Sequence, residues 1–210
     1  MRRQIESYWR QIAAVAPAMP YAALERVAVE LLRCRERGGT IFVVGNGGSA
    51  ATASHFACDL SKGTRYAGLA PFRVIPLTDN MPLITAWGND TSYERVFAEQ
   101  LSALVRPGDV LVTISGSGNS PNVLAAVDVA REHGVLTIAF TGESGGRLAP
   151  MTDLAIRVPL PDMELVEDAH SIITHSLCVA LRAELRREAA QQDLVVPAPL
   201  APALSAWEVD

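Results

Sequence analysis

A histidine and a carboxylate, His55 and Asp59, stand four residues apart, and a second polar cluster of Glu164, Glu167, Asp168, His170 and His175 lies about 110 residues further on. Residues four apart on a helix share a face, so His55 and Asp59 can point into one cleft. In the second cluster Asp168 and His175, seven apart, line up best on spacing alone. One carboxylate and one imidazole are sufficient in kind for general acid–base chemistry. The same residue types would also serve an ion-pair network at a subunit contact, since polar groups on a buried helix face need partners.

Two loops of similar make supply a different chemistry. Gly45-Asn46-Gly47-Gly48-Ser49-Ala50 follows the apolar run 40–44, and Ser115-Gly116-Ser117-Gly118-Asn119-Ser120 follows the apolar run 110–114. Each runs from a strand into a helix start and leaves backbone N–H groups and serine hydroxyls free where the helix dipole favours an anion. The first loop also matches the G-x-G-x-x-A dinucleotide fingerprint. A dinucleotide site, however, wants an acidic residue roughly 20 positions on, at the end of the next strand. The stretch around Ser61-Lys62-Gly63-Thr64-Arg65 has none, and Asp79 comes later than that. The second serine-rich loop has no role in a dinucleotide site but suits a phosphate monoester, so the loops favour a sugar phosphate. Ordinary strand-to-helix turns, which use Gly and Ser for backbone reasons, are the plainer alternative.

The elements that must hold these groups follow from the rest of the chain. Residues 4–16 and 21–37 form amphipathic helices split by Pro17 and Pro20, the second stopped by Gly38-Gly39. Short Val- and Ile-rich runs at 40–44, 73–77, 110–114, 135–140 and 154–158 have the character of buried parallel strands. Helices between them are expected to start near Ser49, near Ser92 and at Pro121, where proline costs no hydrogen bond. A last helix is expected over 164–190. This is an α/β fold, a three-layer sandwich on a five-stranded parallel sheet, preceded by a helix pair. Residues 1–190 make one domain, and the Pro/Ala-rich 191–210, with Trp207, is expected to be a loosely ordered tail.

Composition narrows the function. With 210 residues, 49% of them hydrophobic, the chain suits one globular core. A net charge of −5 without basic clusters gives no footprint for nucleic acid or an anionic membrane. The 3 cysteines, Cys34, Cys58 and Cys178, are widely spaced and suggest neither a disulfide framework nor a Cys-type zinc site. No apolar run approaches the roughly 20 residues of a bilayer span, and Met1-Arg2-Arg3-Gln4-Ile5-Glu6 leads into a helical pattern, so a cytoplasmic location is expected.

The two loops, together with Gly88-Asn89-Asp90 and Thr141-Gly142-Glu143-Ser144-Gly145-Gly146, resemble the sugar isomerase (SIS) family, specifically its phosphoheptose isomerases, over residues 5–190. The resemblance implies that Ser49, Ser115, Ser117 and Ser120 hold the substrate phosphate, that Asn46, Gly47, Gly48 and Gly116 also bind substrate, and that Asp90 contacts sugar hydroxyls. A plain turn, or an N-cap for a helix from Tyr93 to Leu104, is the other role for Asp90. It further implies His55, Asp59, Glu167 and His175 as ligands of one zinc ion per subunit, a donor set chemically suited to zinc. Asp59 or Glu167 would be the base, His175 the acid, and Glu167 would also touch substrate. Three positions depart from the family pattern: Gly116 stands for Thr, Asp59 for Glu and Glu167 for Gln.

The activity so implied is conversion of sedoheptulose 7-phosphate to D-glycero-D-manno-heptose 7-phosphate through an enediol. The resemblance also implies a homotetramer, built on residues 4–37, whose active sites lie at subunit interfaces. Two other functions fit the phosphate loops: a non-catalytic SIS adaptor that binds the replication initiator, which in such proteins lacks the last-helix histidine, and a sugar-phosphate-sensing module without a base.

Overall fold

Apolar residues fill 40–44 and 110–114 without polar alternation, and a strand of that kind must be covered on both faces. In the computed structural model, which describes residues 1–192 and 194, it is. The helix pair comes first, α1 (Arg2–Val15) and α2 (Tyr21–Glu36), followed by β1 (Thr40–Gly45) and α3 (Gly48–Cys58). Then come β2 (Arg73–Pro76), α4 (Met81–Asp90), α5 (Ala98–Leu104), β3 (Val110–Ser115), α6 (Pro121–Glu132), β4 (Leu136–Gly142), β5 (Leu154–Val158) and α7 (Met163–Gln191). The five strands form one sheet in the order β2-β1-β3-β4-β5, and each neighbouring pair is parallel. The expected fold class is therefore the observed one. The proposed tail falls almost wholly outside the described residues.

Side-chain alternation divides the core in two. Ile41 and Val43 pack with Val27 and Leu31 of α2, Ala53 and Phe56 of α3, and Val166, Ile173 and Leu177 of α7. Phe42 and Val44 point the other way, against Leu101 of α5 and Val123, Val127 and Ala130 of α6. Such burial, at about 25 cal/mol per Å², is the main favourable term in folding.

The sequence reading differs from the structure around residues 81–104. It contains no α4, and that helix buries none of its residues completely. Without a buried face there is no apolar period to detect; the usable signals are the Asn80 side chain, which caps Leu83 N–H, and Pro82 in the first turn. The helix expected from Tyr93 to Leu104 is broken into a single turn, Tyr93–Arg95, and α5. Asp90 consequently ends α4 instead of capping a following helix, and its carboxylate accepts from Asn89 Nδ2 at 2.8 Å.

Sheet order sets where a ligand can bind. From β1 the chain moves outward to β2 and then returns to β3 on the other side, so the strand order reverses between β1 and β3. In open α/β sheets the crevice at the carboxyl ends of such strands is where ligands sit. Both serine loops lie there, one after β1 and one after β3. Helix α7 starts after β5, so its first turns also lie at that edge. No single helix among the described residues is long and apolar enough to cross a membrane.

Helix α7 also carries His170, which is 0% exposed and has no hydrogen-bond partner on either ring nitrogen. Its ring lies 6.2 Å from that of Phe140. Burial pushes its pKa down to about 4, against a smaller opposing effect from the backbone of Thr141. The neutral ring is thus the folded form, whereas the unfolded chain takes up a proton near pH 6.5. The contribution of His170 to stability is complete above that pH and falls away between pH 6.5 and 4, by about 2 kcal/mol at pH 5. Urea unfolding at pH 7 and pH 5 should show this loss in the natural protein and not in His170→Leu; an equal loss in both would assign it to other groups.

Candidate functional site

A crevice of about 220 Å³ is lined by Asn46, Ser49, Ile114, Ser115, Gly116, Ser117, Ser120, Met163 and Glu167. Its hydroxyls come from both loops. Ser49 and Ser115 are almost fully buried, and the Ser115 and Ser120 Oγ atoms lie 3.4 Å apart. Ser120 stands at the N-cap of α6 without capping it through its side chain, so that hydroxyl can turn from Ser115 to a ligand. Gly47 has φ +53, a left-handed conformation that glycine adopts without steric cost, and Gly48 and Ser49 open α3. Gly45 is excluded from carrying a side chain by space: a Cβ there would stand 2.6 Å from Ser49 O.

The cradle is held from behind by Asn122 and Tyr93, to which the sequence assigns no site role. Asn46 Nδ2 donates to Asn122 Oδ1 at 2.8 Å, and Asn122 Nδ2 returns a bond to Asn46 Oδ1 at 2.8 Å. Tyr93 Oη donates to the same Asn46 oxygen at 3.0 Å. Asn122 is buried at the start of α6, so the pair ties the first loop to the helix of the second. The only sequence trace of this is a polar residue just inside a helix that is otherwise apolar on its buried face.

A second centre lies further along α3 and α7. His55 is in the last turn of α3, and Asp59 opens a wider helical turn, Asp59–Gly63, that continues it. Asp59 Oδ2 lies 3.7 Å from His55 Nε2 and 3.6 Å from His175 Nε2. The two imidazoles meet edge to face, with centroids 4.9 Å apart. All three residues offer a ligand atom within 4.8 Å of the others. Donors about 2.0–2.1 Å from a tetrahedral zinc are separated by roughly 3.3 Å, so this set fits a metal ion after small side-chain adjustments. His55 and His175 are more than half exposed, which leaves room for a further ligand.

Three sequence-derived residues sit elsewhere. Glu167 is not in the His55/Asp59/His175 group. Its carboxylate lines the serine crevice, where a Cβ on Gly48 would lie 2.7 Å from Glu167 Oε2. Asp168, paired with His175 on spacing, instead accepts a 2.6 Å bond from Tyr8 Oη of α1, which pushes the Tyr8 hydroxyl up to about 12. Asp90 is not among the residues that line the crevice. The three cysteines are free, and none joins the metal-fitting group.

A doubly wound sheet carries serine loops at its switch point and a His/carboxylate cluster further along two of its helices, a site suited to an anionic ligand. The SIS domain family's sequence profile matches residues 7–142, and the chain belongs to that family. Among curated relatives, a phosphoheptose isomerase of Rhodospirillum rubrum is 45% identical over 163 residues, covering 78% of this chain and 84% of the relative. One from a Roseiflexus species is 41% identical, covering 89% and 88%. The solved structure of the phosphoheptose isomerase of Neisseria gonorrhoeae superposes with a TM-score of 0.81 at 33% identity, covering 87% of this chain and 98% of that one.

Proposed function

We propose that the chain is a sugar-phosphate isomerase that interconverts sedoheptulose 7-phosphate and D-glycero-D-manno-heptose 7-phosphate through an enediol. The observation that carries this reading is the placement of two polar centres along the same two helices. Between Ser49 and His55 on α3 the helical rise is about 9 Å, and between Glu167 and His175 on α7 about 12 Å. An extended seven-carbon chain with its phosphate ester, at roughly 1.2–1.3 Å of advance per bond of about 1.5 Å, spans about 9–10 Å. A phosphate held by the loops therefore brings the far end of an open-chain heptulose to His55, Asp59 and His175.

In this reading the hydroxyls of Ser49, Ser115, Ser117 and Ser120 and the backbone N–H groups of Gly47 and Gly48 hold the phosphate, with Asn46 fixing the first loop. Binding energy gathered there positions carbons that the loops do not touch. Asp59 removes a proton from C1, the C–H electrons form the C1–C2 double bond, and His175 donates a proton to the C2 oxygen. Return of the proton from Asp59 to C2, with His175 taking the proton from the hydroxyl on C1, gives the aldose. Glu167 accepts a hydroxyl of the sugar beside the cradle, and Asp90 contacts hydroxyls further out. His55, Asp59 and His175 would hold a zinc ion, which would supply Lewis-acid polarisation at this end of the sugar, the part that the His175 proton plays without it.

A homotetramer with active sites at subunit contacts belongs to the same proposal, as does a cytoplasmic location. Ile5 and Trp9 on α1 and Ile172 and Val179 on α7 are large apolar side chains left exposed, as an interface requires. The test is turnover: purified protein given sedoheptulose 7-phosphate should produce the aldose, and a tetramer should sediment. Absence of product with protein that still binds the sugar phosphate would contradict the isomerase assignment.

A further inference from the structure

Gly116 has an unremarkable negative φ, so its backbone conformation does not call for glycine. What stands over it is the far end of one flexible side chain. A Cβ at this position would run into Met163 Sδ, come within 3.3 Å of Met163 Cε and within 3.5 Å of Val166 Cγ1. The loop cannot retreat, because Gly116 O accepts the Gly142 N–H at 2.9 Å and Ser115 O accepts the Gly118 N–H at 3.0 Å. A side chain at 116 and the thioether of Met163 therefore compete for one volume, and in this chain the thioether holds it.

Met163 opens α7 and lines the serine crevice, yet it is 47% exposed. It is thus a rim residue: one side against the loop backbone, the other toward whatever enters. We propose that Met163 is a specificity-determining residue that packs its thioether on the phosphate-bearing methylene of a primary phosphate ester. The inference rests on the phosphate reading of the serine loops and assigns a substrate contact to a residue outside the His/carboxylate centre. A thioether offers no strong hydrogen bond, so the group it covers is the CH2–O–P carbon and not a hydroxyl. Methionine suits a rim, being unbranched and able to follow the ligand.

The chemistry separates two probes. Inorganic phosphate has the anion without the methylene, whereas glycerol 3-phosphate has both. NMR or calorimetric titration of Met163→Ala should show affinity for glycerol 3-phosphate lowered by about threefold to fivefold, the value of roughly one buried methylene, with inorganic phosphate changed by less than about twofold. Met163→Leu, which keeps an apolar rim, should stay near the natural protein. Gly116→Thr should reproduce the loss by displacing the thioether, and Gly116→Thr/Met163→Ala should lose no more than either single change, because both act on the same volume. Equal losses for the two probes in Met163→Ala, or no loss for the ester, would overturn the assignment. Failure of the natural protein to bind either probe would overturn it as well. Turnover of sedoheptulose 7-phosphate is read separately, so a protein that shows the probe contrast but no turnover would sink the isomerase reading and leave the Met163 contact standing.

Discussion

His175→Ala is expected to lower turnover of sedoheptulose 7-phosphate by about 10²–10⁴-fold, the usual contribution of a positioned general acid or base. The side chain is half exposed on α7 and lies outside the core. Its loss therefore removes no core packing, only the edge-to-face contact with His55, and the melting temperature should move little. The phosphate end is held by the loops, so the variant should still bind the sugar phosphate with affinity within a few-fold of the natural protein. Binding and turnover must separate for the account to hold. A variant that loses both together would show His175 supporting the cradle and not the reaction, and one that keeps full turnover would remove it from the mechanism.

The second large effect concerns two carboxylates that the sequence does not tell apart. Asp59 lies between the two imidazoles, while Glu167 lies in the serine crevice beside Gly48. Asp59→Asn keeps the shape and removes the charge; it should lower turnover by about 10²–10⁴-fold and weaken zinc uptake measured by competition with a chelating dye. Glu167→Gln keeps the shape of a side chain that touches only the remote part of the substrate, so turnover should fall by less than about tenfold, chiefly through KM. The reverse outcome, with Glu167→Gln inactive and Asp59→Asn active, would exchange their roles.

Helical phase explains why these carboxylates were hard to separate in advance. Residues 167 and 175 are eight apart, about 80° around a regular helix and about 12 Å along it, so spacing alone does not pair them. Their grouping rests on the family resemblance, not on spacing among the five polar residues of that segment. Asp168 has the better phase with His175, about 20° away, yet Tyr8 engages it from α1, a contact across 160 residues that no local pattern announces. The same holds for Asn46 and Asn122, 76 residues apart.

What was legible had a local cause. Strands β1 and β3 are buried on both faces and are therefore continuous apolar runs, and the loops after them need small residues to bring backbone N–H groups to an anion. Helix α4 was illegible because it buries nothing completely. Met163 was illegible because its meaning lies in the vacancy at Gly116, and only the three-dimensional contact joins a glycine in one loop to a methionine 47 positions later.

The most direct test of the central claim is incubation of the purified protein with sedoheptulose 7-phosphate in D2O, followed by NMR. A proton shuttled by Asp59 exchanges with solvent at the enediol stage, so the account predicts an aldose 7-phosphate carrying deuterium at C2. Sugar phosphate returned unchanged and without deuterium, from protein shown by titration to bind it, would contradict it.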